Sequence, residues 1–291
     1  MDWIVFTLLA VVMQTVRNAL QSKLSAHINT SGVTLARFLF APPLVAGYLT
    51  FLYLSSPQAL PKVEPMFVGF VLCAALLQIA ATSLMVKLFK QKNFAIGAGI
   101  AKSEALVAGV LGTLFFGSQL TAWGWLGVLI GAIAVFVLSS AGSKRSLSGH
   151  TLILGLACGT CFALTSLLVR EASLLLALPF AHGAAWVLLW VLCLQTALLT
   201  FYIKTKEPDT FSQLKRHGRL VLATSFTSCI GSIGWFSAMA LQQVAYVKTL
   251  GQVEVALTIL ISVFWLKNPV KKHEIWGLTL ISLAAILVMW G

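Results

Sequence analysis

The fold is decided by residues 246–266, YVKTLGQVEVALTILISVFWL, an apolar run that carries Glu254 near its middle. A helix of about 20 apolar residues is long enough to cross the hydrocarbon core of a bilayer. Residues 96–116 form a second run of this kind, and its Glu104 lies 150 residues before Glu254. We therefore predict a membrane-spanning helix in each half of the chain, with the two carboxylates at matching depths.

The composition excludes a soluble protein. Hydrophobic residues make up 59% of the chain and charged residues only 10%, which is typical of a polytopic membrane protein. The polar segments are too short to hold a soluble catalytic domain or a nucleic-acid-binding domain, so the net charge of +12 does not indicate a nucleic-acid partner. Ten apolar runs are long enough to span a membrane: residues 3–22, 32–54, 66–89, 94–116, 120–140, 151–169, 179–203, 219–242, 245–267 and 273–291.

The ten runs divide equally between residues 1–145 and residues 146–291. Because five crossings are an odd number, the second half must enter the membrane from the opposite side, which makes the repeat inverted. We therefore predict an all-α membrane protein. Its ten transmembrane helices form two inverted five-helix repeats around a central midplane cavity.

The distribution of basic residues predicts the orientation. The connection between the third and fourth runs carries Lys87, Lys90 and Lys92, whereas the matching residues 242–245 carry no Lys or Arg. Most of the 20 Lys and Arg residues lie in the connections that follow odd-numbered runs. The positive-inside rule then makes these connections cytoplasmic and both termini external.

The cysteines and the other reactive side chains give no sign of an enzyme. All five cysteines lie inside apolar runs, and an odd number argues against a disulfide framework. Cys158 and Cys161 have the spacing of a redox or metal site but lack nearby His or Cys partners, so we interpret them as packing residues. No Ser/His/Asp set, zinc motif or phosphate-binding loop is present. We expect no catalytic residue, metal or cofactor.

Glu104 and Glu254 are the first candidates for function. A charged side chain at the centre of a membrane helix costs about 2.5–3.5 kcal/mol on insertion scales, so such acids face protein or water and are often functional. They could bind protons or hold a cationic group. The alternative is a purely structural hydrogen bond between helices.

The basic residues Lys102, Arg17 and Arg37 also lie within apolar runs. Lys102 is two residues from Glu104, so the two side chains point to opposite faces of a helix. We expect Lys102 to meet an acid or a carbonyl on another helix. Arg17 and Arg37 lie about two helical turns (3.6 residues each) from the predicted cytoplasmic ends, and we expect both side chains to snorkel to the membrane surface. Arg37 is also a candidate for substrate or proton binding.

Further candidates surround Glu254. Gly251, Glu254 and Thr258 share one helix face, where they could form a cavity wall, and Gln252 and Lys248 share another. Aromatic side chains could line a substrate cavity, although aromatic residues near helix ends are more often anchors at the membrane surface. These aromatic candidates are Trp186, Trp235 and Tyr246.

In its ten short helices and its five-plus-five repeat, the chain resembles the EamA-type members of the drug/metabolite transporter superfamily. The resemblance is carried by LFFGSQLT at 114–121, WLGVLIG at 125–131 and LARFLFA at 35–41, whose Arg37 resembles the arginine of the family's second helix. In two respects the chain departs from the family. The usual acid of a Gly-Glu pair would fall at Ser118 and at Asn268, and many members have proline or a neutral residue where Glu104 and Glu254 stand.

The resemblance implies a secondary active transporter of a small polar or amphipathic metabolite. It implies a bacterial inner-membrane protein, often an exporter, that works by alternating access around a midplane cavity. Whether the protein is a monomer or a homodimer does not follow from the residues. Its partners would be a small-molecule substrate and membrane lipid. From the residues themselves we hypothesise that Glu104 and Glu254 exchange protons for substrate. The alternatives are uptake or facilitated exchange of a cationic metabolite, and a non-transporting membrane sensor or scaffold.

Overall fold

The computed structural model describes residues 1–90, 101–140, 149–254, 257 and 272–290, and within them it contains helices and no strands. The helices are α1 (Asp2–Ser25), α2 (Thr30–Phe38), α3 (Ala41–Ser55), α4 (Pro65–Phe89), α5 (Glu104–Phe115), α6 (Ala122–Ser140), α7 (Gly149–Leu175), α8 (Phe180–Lys206), α9 (Asp209–Arg216), α10 (Gly218–Leu241), α11 (Val244–Leu250) and α12 (Lys272–Trp290).

Six helical segments of the described chain are long and apolar enough to cross a membrane, and they coincide with six of the predicted runs. They are Asp2–Ser25, Thr30–Ser55, Pro65–Phe89, Gly149–Leu175, Phe180–Lys206 and Gly218–Leu241. The runs at 94–116 and 245–267 lie partly outside the described residues. The prediction of an all-α, multi-pass membrane protein is confirmed, whereas the ten-helix repeat stays a prediction.

Proline divides the second span. Pro42 and Pro43 stand in the first turn of α3, where the missing N–H groups cost little. In an unbroken helix they would clash with carbonyls one turn earlier, so α2 ends at Phe38 and the chain turns before α3 begins. The Phe40 N–H donates to Ser225 Oγ at 2.8 Å. The break is thereby fixed against α10.

Small residues bring the helices together in three main pairs, α1 with α10, α4 with α7, and α6 with α12. A Cβ atom at Gly234 of α10 would lie 2.7 Å from the carbonyl oxygen of Phe6 in α1. A Cβ atom at Gly127 of α6 would lie 2.7 Å from Val288 Cγ2 in α12. Close packing of this kind holds membrane helices together. Lipid tails are as apolar as the helix surfaces, so the hydrophobic effect does not favour contact between helices.

We expect Gly234→Ala to destabilise the protein by about 1–3 kcal/mol, because the added methyl group overlaps the backbone of α1. The matched control is Gly47→Ala in α3, where a Cβ atom meets nothing within 4 Å, so stability should stay the same or rise by up to about 1 kcal/mol. The measurement is thermal unfolding of each purified variant in the same detergent. Equal melting temperatures for the two variants would contradict the α1–α10 contact.

Candidate functional site

A two-residue turn directly precedes Glu104, and another stands just before Glu254. Lys102 and Ser103 form a turn directly before Glu104 begins α5, and Gly251 and Gln252 form a turn between α11 and the helical residues Val253 and Glu254. A carboxylate is favoured beside the first amides of a helix, because these amides carry partial positive charge. The two turns therefore provide similar surroundings for the two acids.

Glu254 is held by three donors from two other parts of the chain. Lys102 Nζ forms an ion pair with its Oε2 atom. Gln14 Nε2 donates to the same oxygen at 2.7 Å, and Asn18 Nδ2 donates to Oε1 at 2.8 Å. The side chain is only 8% exposed. Buried carboxylates are stable when charged groups and hydrogen-bond donors compensate the loss of water.

Glu104 is held by the second ion pair. Lys248 Nζ lies 3.5 Å from Glu104 Oε2 and 4.4 Å from the centroid of the Trp235 ring, which adds a cation–π contact. Trp235 Nε1 also donates to Gln14 Oε1 at 3.0 Å. Gln14 and Trp235 thus connect the two ion pairs. We call this set the ion-pair cluster: Gln14, Asn18, Lys102, Glu104, Trp235, Lys248 and Glu254.

The ion pairs cross between the two halves of the chain. Lys102 meets Glu254 on another helix, as expected, and Lys248 meets Glu104. The role of Lys248 was missed in the sequence analysis, because the residue 150 positions earlier is Ala98 and the repeat gives no hint of it.

Neither Gln14 nor Asn18 is among the site residues predicted from the sequence. A signal was available, since polar side chains recur at Gln14, Arg17, Asn18 and Gln21 of the apolar helix α1. This spacing places them on one face, and that face points to the interior.

Arg17 and Arg37 do not snorkel, and that expectation was wrong. Their exposed fractions are 5% and 4%. Arg17 Nη2 donates to Asn18 Oδ1 at 3.0 Å, while Arg37 donates to Thr82 Oγ1 at 2.7 Å and Ser228 Oγ at 3.2 Å. Acceptors within the protein therefore hold both guanidinium groups inside. Neither forms an ion pair with a carboxylate of the described residues.

The residues between α11 and Glu254 are tightly packed. A Cβ atom at Gly251 would lie 2.5 Å from Trp235 Cη2, so only glycine leaves room for the indole. Gln252 is 1% exposed, and its amide has no hydrogen-bond partner among the described residues. Its Oε1 occupies the space above Gly131 of α6. Thr258 lies outside the described residues.

The other two aromatic candidates, Tyr246 and Trp186, form hydrogen bonds with residues outside the ion-pair cluster. Tyr246 Oη accepts from the Thr121 N–H at 3.0 Å, and its ring fills the space above Gly124 at the start of α6. Trp186 Nε1 donates to Tyr53 Oη at 3.0 Å. The structure therefore brings Trp235, but neither Tyr246 nor Trp186, into the ion-pair cluster.

We expect Lys102→Gln and Glu254→Gln each to lower stability by about 3–5 kcal/mol, because each leaves one buried charge without its partner. The double variant Lys102→Glu/Glu254→Lys restores an ion pair with reversed polarity and should recover part of this loss. Thermal unfolding of the three variants measures the effect, and Lys62→Gln at an exposed site is the control. Single variants as stable as this control would contradict a structural ion pair.

Comparisons with known proteins agree with this architecture. The sequence model of the EamA-like transporter family matches residues 149–290, whereas no curated protein sequence matches the chain. Among 29 matching chains of solved structures, one crystal structure has a TM-score of 0.74 at 16% identity. The match covers 99% of this chain and 96% of that chain, and it shows a shared fold. Residues 149–290 of the chain are thus similar to the EamA-like transporter family of the drug/metabolite transporter superfamily, whose members are membrane transporters and not enzymes.

Proposed function

We propose that the protein is a secondary active transporter that exports a small polar or amphipathic metabolite by alternating access, with proton coupling through the ion-pair cluster. The observation that carries the proposal is the pair of crossed ion pairs, Lys102–Glu254 and Lys248–Glu104, which join the two halves of the chain inside the protein. The bacterial inner membrane, with both termini external, is part of the same proposal.

The helix packing supports two inverted repeats. An offset of about 150 residues relates α1 to α7, α4 to α10, and α6 to α12. If each helix is replaced by its counterpart, the contact between α1 and α10 becomes the contact between α7 and α4. The contact between α6 and α12 stays the same. A pseudo-two-fold axis requires this exchange, and the turns before Glu104 and Glu254 obey the same relation. Inverted repeats with discontinuous helices near the midplane are typical of secondary transporters.

The crossed ion pairs suit a transporter because protonation of a carboxylate weakens the contact between the two halves. Each pair favours an arrangement in which the two halves are in contact at that point. A proton on Glu254 removes the charge that Lys102 and the two amides now hold. Any ligand or proton that interacts differently with two arrangements of the halves shifts the equilibrium between them. Proton binding and the crossed pairs would therefore be linked.

The lysines argue against the alternative in which a cationic metabolite is held by the acids. Both carboxylates already have a lysine partner within the protein, so a cationic substrate would have to displace an ammonium group at each. A non-transporting scaffold leaves the buried charges without a purpose, because apolar residues of similar volume often pack with equal or greater stability.

We expect Glu104→Gln and Glu254→Gln to reduce proton-coupled flux at least tenfold, because neither amide can release a proton. The assay is reconstitution in liposomes that contain a pH-sensitive dye, with amino acids, amines, nucleosides and organic acids added one at a time under an imposed pH gradient. The exposed control Lys62→Gln should behave as wild type. Flux that responds to the pH gradient equally in wild type and both variants would refute coupling through these acids. Direction is measured separately, since an exporter lowers the metabolite content of cells that express it.

A further inference from the structure

The interior around the ion-pair cluster contains more positive than negative charge. Four cationic side chains, Arg17, Arg37, Lys102 and Lys248, accompany two carboxylates within the described residues. The lysines account for the carboxylates one to one. The arginines are left as a surplus of two positive charges.

Neither surplus guanidinium is neutralised by its contacts. Arg37 bonds to hydroxyl groups, and Arg17 bonds to the amide oxygen of Asn18, which itself donates to Glu254. The charge of Arg17 repels the Arg37 guanidinium, and the charge of Glu104 attracts it. Buried charge without a counter-charge is strongly unfavourable, so an arrangement of this kind is retained where it has a task.

Two buried donors beside this surplus have no acceptor. Arg17 Nε has no hydrogen-bond partner among the described residues, and neither has Gln21 Nε2, which stands one helical turn later on α1. Gln21 is 2% exposed. A buried donor without an acceptor costs free energy, and both donors would be satisfied by a group with several acceptor oxygens.

From this geometry we infer that the substrate is a small organic anion, whose carboxylate or phosphate group binds between Arg17 and Arg37 with Gln21 as a further donor. The inference rests on the proposed function and names its substrate class. Guanidinium groups match the oxygen pairs of carboxylates and phosphates in a fork that lysine cannot form. A cationic substrate would raise the surplus charge, and a neutral one would leave it unchanged.

The test is a thermal-shift series on the purified full-length protein at constant ionic strength, set with sodium chloride. The probes are pentanoate, benzoate and glycerol 3-phosphate. Each is measured beside its neutral counterpart (pentanamide, benzamide or glycerol), and pentylammonium and benzylammonium serve as the cationic counterparts. We expect at least one anionic probe to raise the melting temperature by about 2–4 °C, and its neutral and cationic counterparts to have no effect. The two carboxylates and the phosphate ester distinguish the two kinds of anionic group.

Arg17→Gln and Arg37→Gln should each abolish this shift, and Arg17→Lys should reduce it, because the charge remains but the fork is lost. The matched control Arg219→Gln removes an exposed arginine and should keep the full shift. If a Gln variant does not fold, the wild-type series still decides the question. Neutral or cationic probes that stabilise as much as the anions would overturn the inference, and so would the absence of a shift with every anion.

Failure of this inference is distinguishable from failure of the proposed function. An anion that binds through Arg17 and Arg37 but does not cross the liposome membrane would retain the binding site and refute transport. A cationic or neutral metabolite that is transported without binding through the arginines would support transport and refute the anion site.

Discussion

The structure depends on one constraint: a carboxylate inside a membrane protein needs a charged or hydrogen-bonding partner. Here the compensation crosses the chain, since Lys102 neutralises Glu254 and Lys248 neutralises Glu104. Each half contributes one acid and one lysine, and the partner of each lies in the other half. The interior charges therefore make the two halves dependent on each other, in addition to the packing of α1 on α10 and α4 on α7.

Small residues and one indole ring position these charges. Gly251 leaves the space that Trp235 occupies, and Trp235 supports the Lys248 ammonium with its ring while donating to Gln14 with its N–H. Gln14 can then present its amide nitrogen to Glu254. A side chain at position 251 would displace the ring and, through it, both ion pairs. The interruption after α11 is therefore coupled to the electrostatics of the cluster.

Sequence reasoning predicted the features that hydropathy and residue spacing determine, and it missed those that depend on a specific neighbour. Run length, desolvation cost and helical rotation were enough to predict six membrane helices, the burial of both acids and a cross-helix partner for Lys102. They were not enough for the burial of Arg37, because the hydroxyl groups of Thr82 and Ser228 that hold it lie on helices far away in the sequence. The Lys248–Glu104 pair departs from the repeat symmetry, because Ala98 stands at the position that matches Lys248.

The proposed anion site and the ion pairs are joined by a single side chain. Asn18 accepts from Arg17 through Oδ1 and donates to Glu254 through Nδ2. An anion that draws the Arg17 guanidinium toward itself would weaken the first bond and free Asn18 to move, so Glu254 would lose one of its donors. Such a link is reciprocal: if anion binding changes the proton affinity of Glu254, protonation of Glu254 changes anion affinity by the same factor. One asparagine on α1 thus offers a physical route by which substrate and proton binding could be coupled.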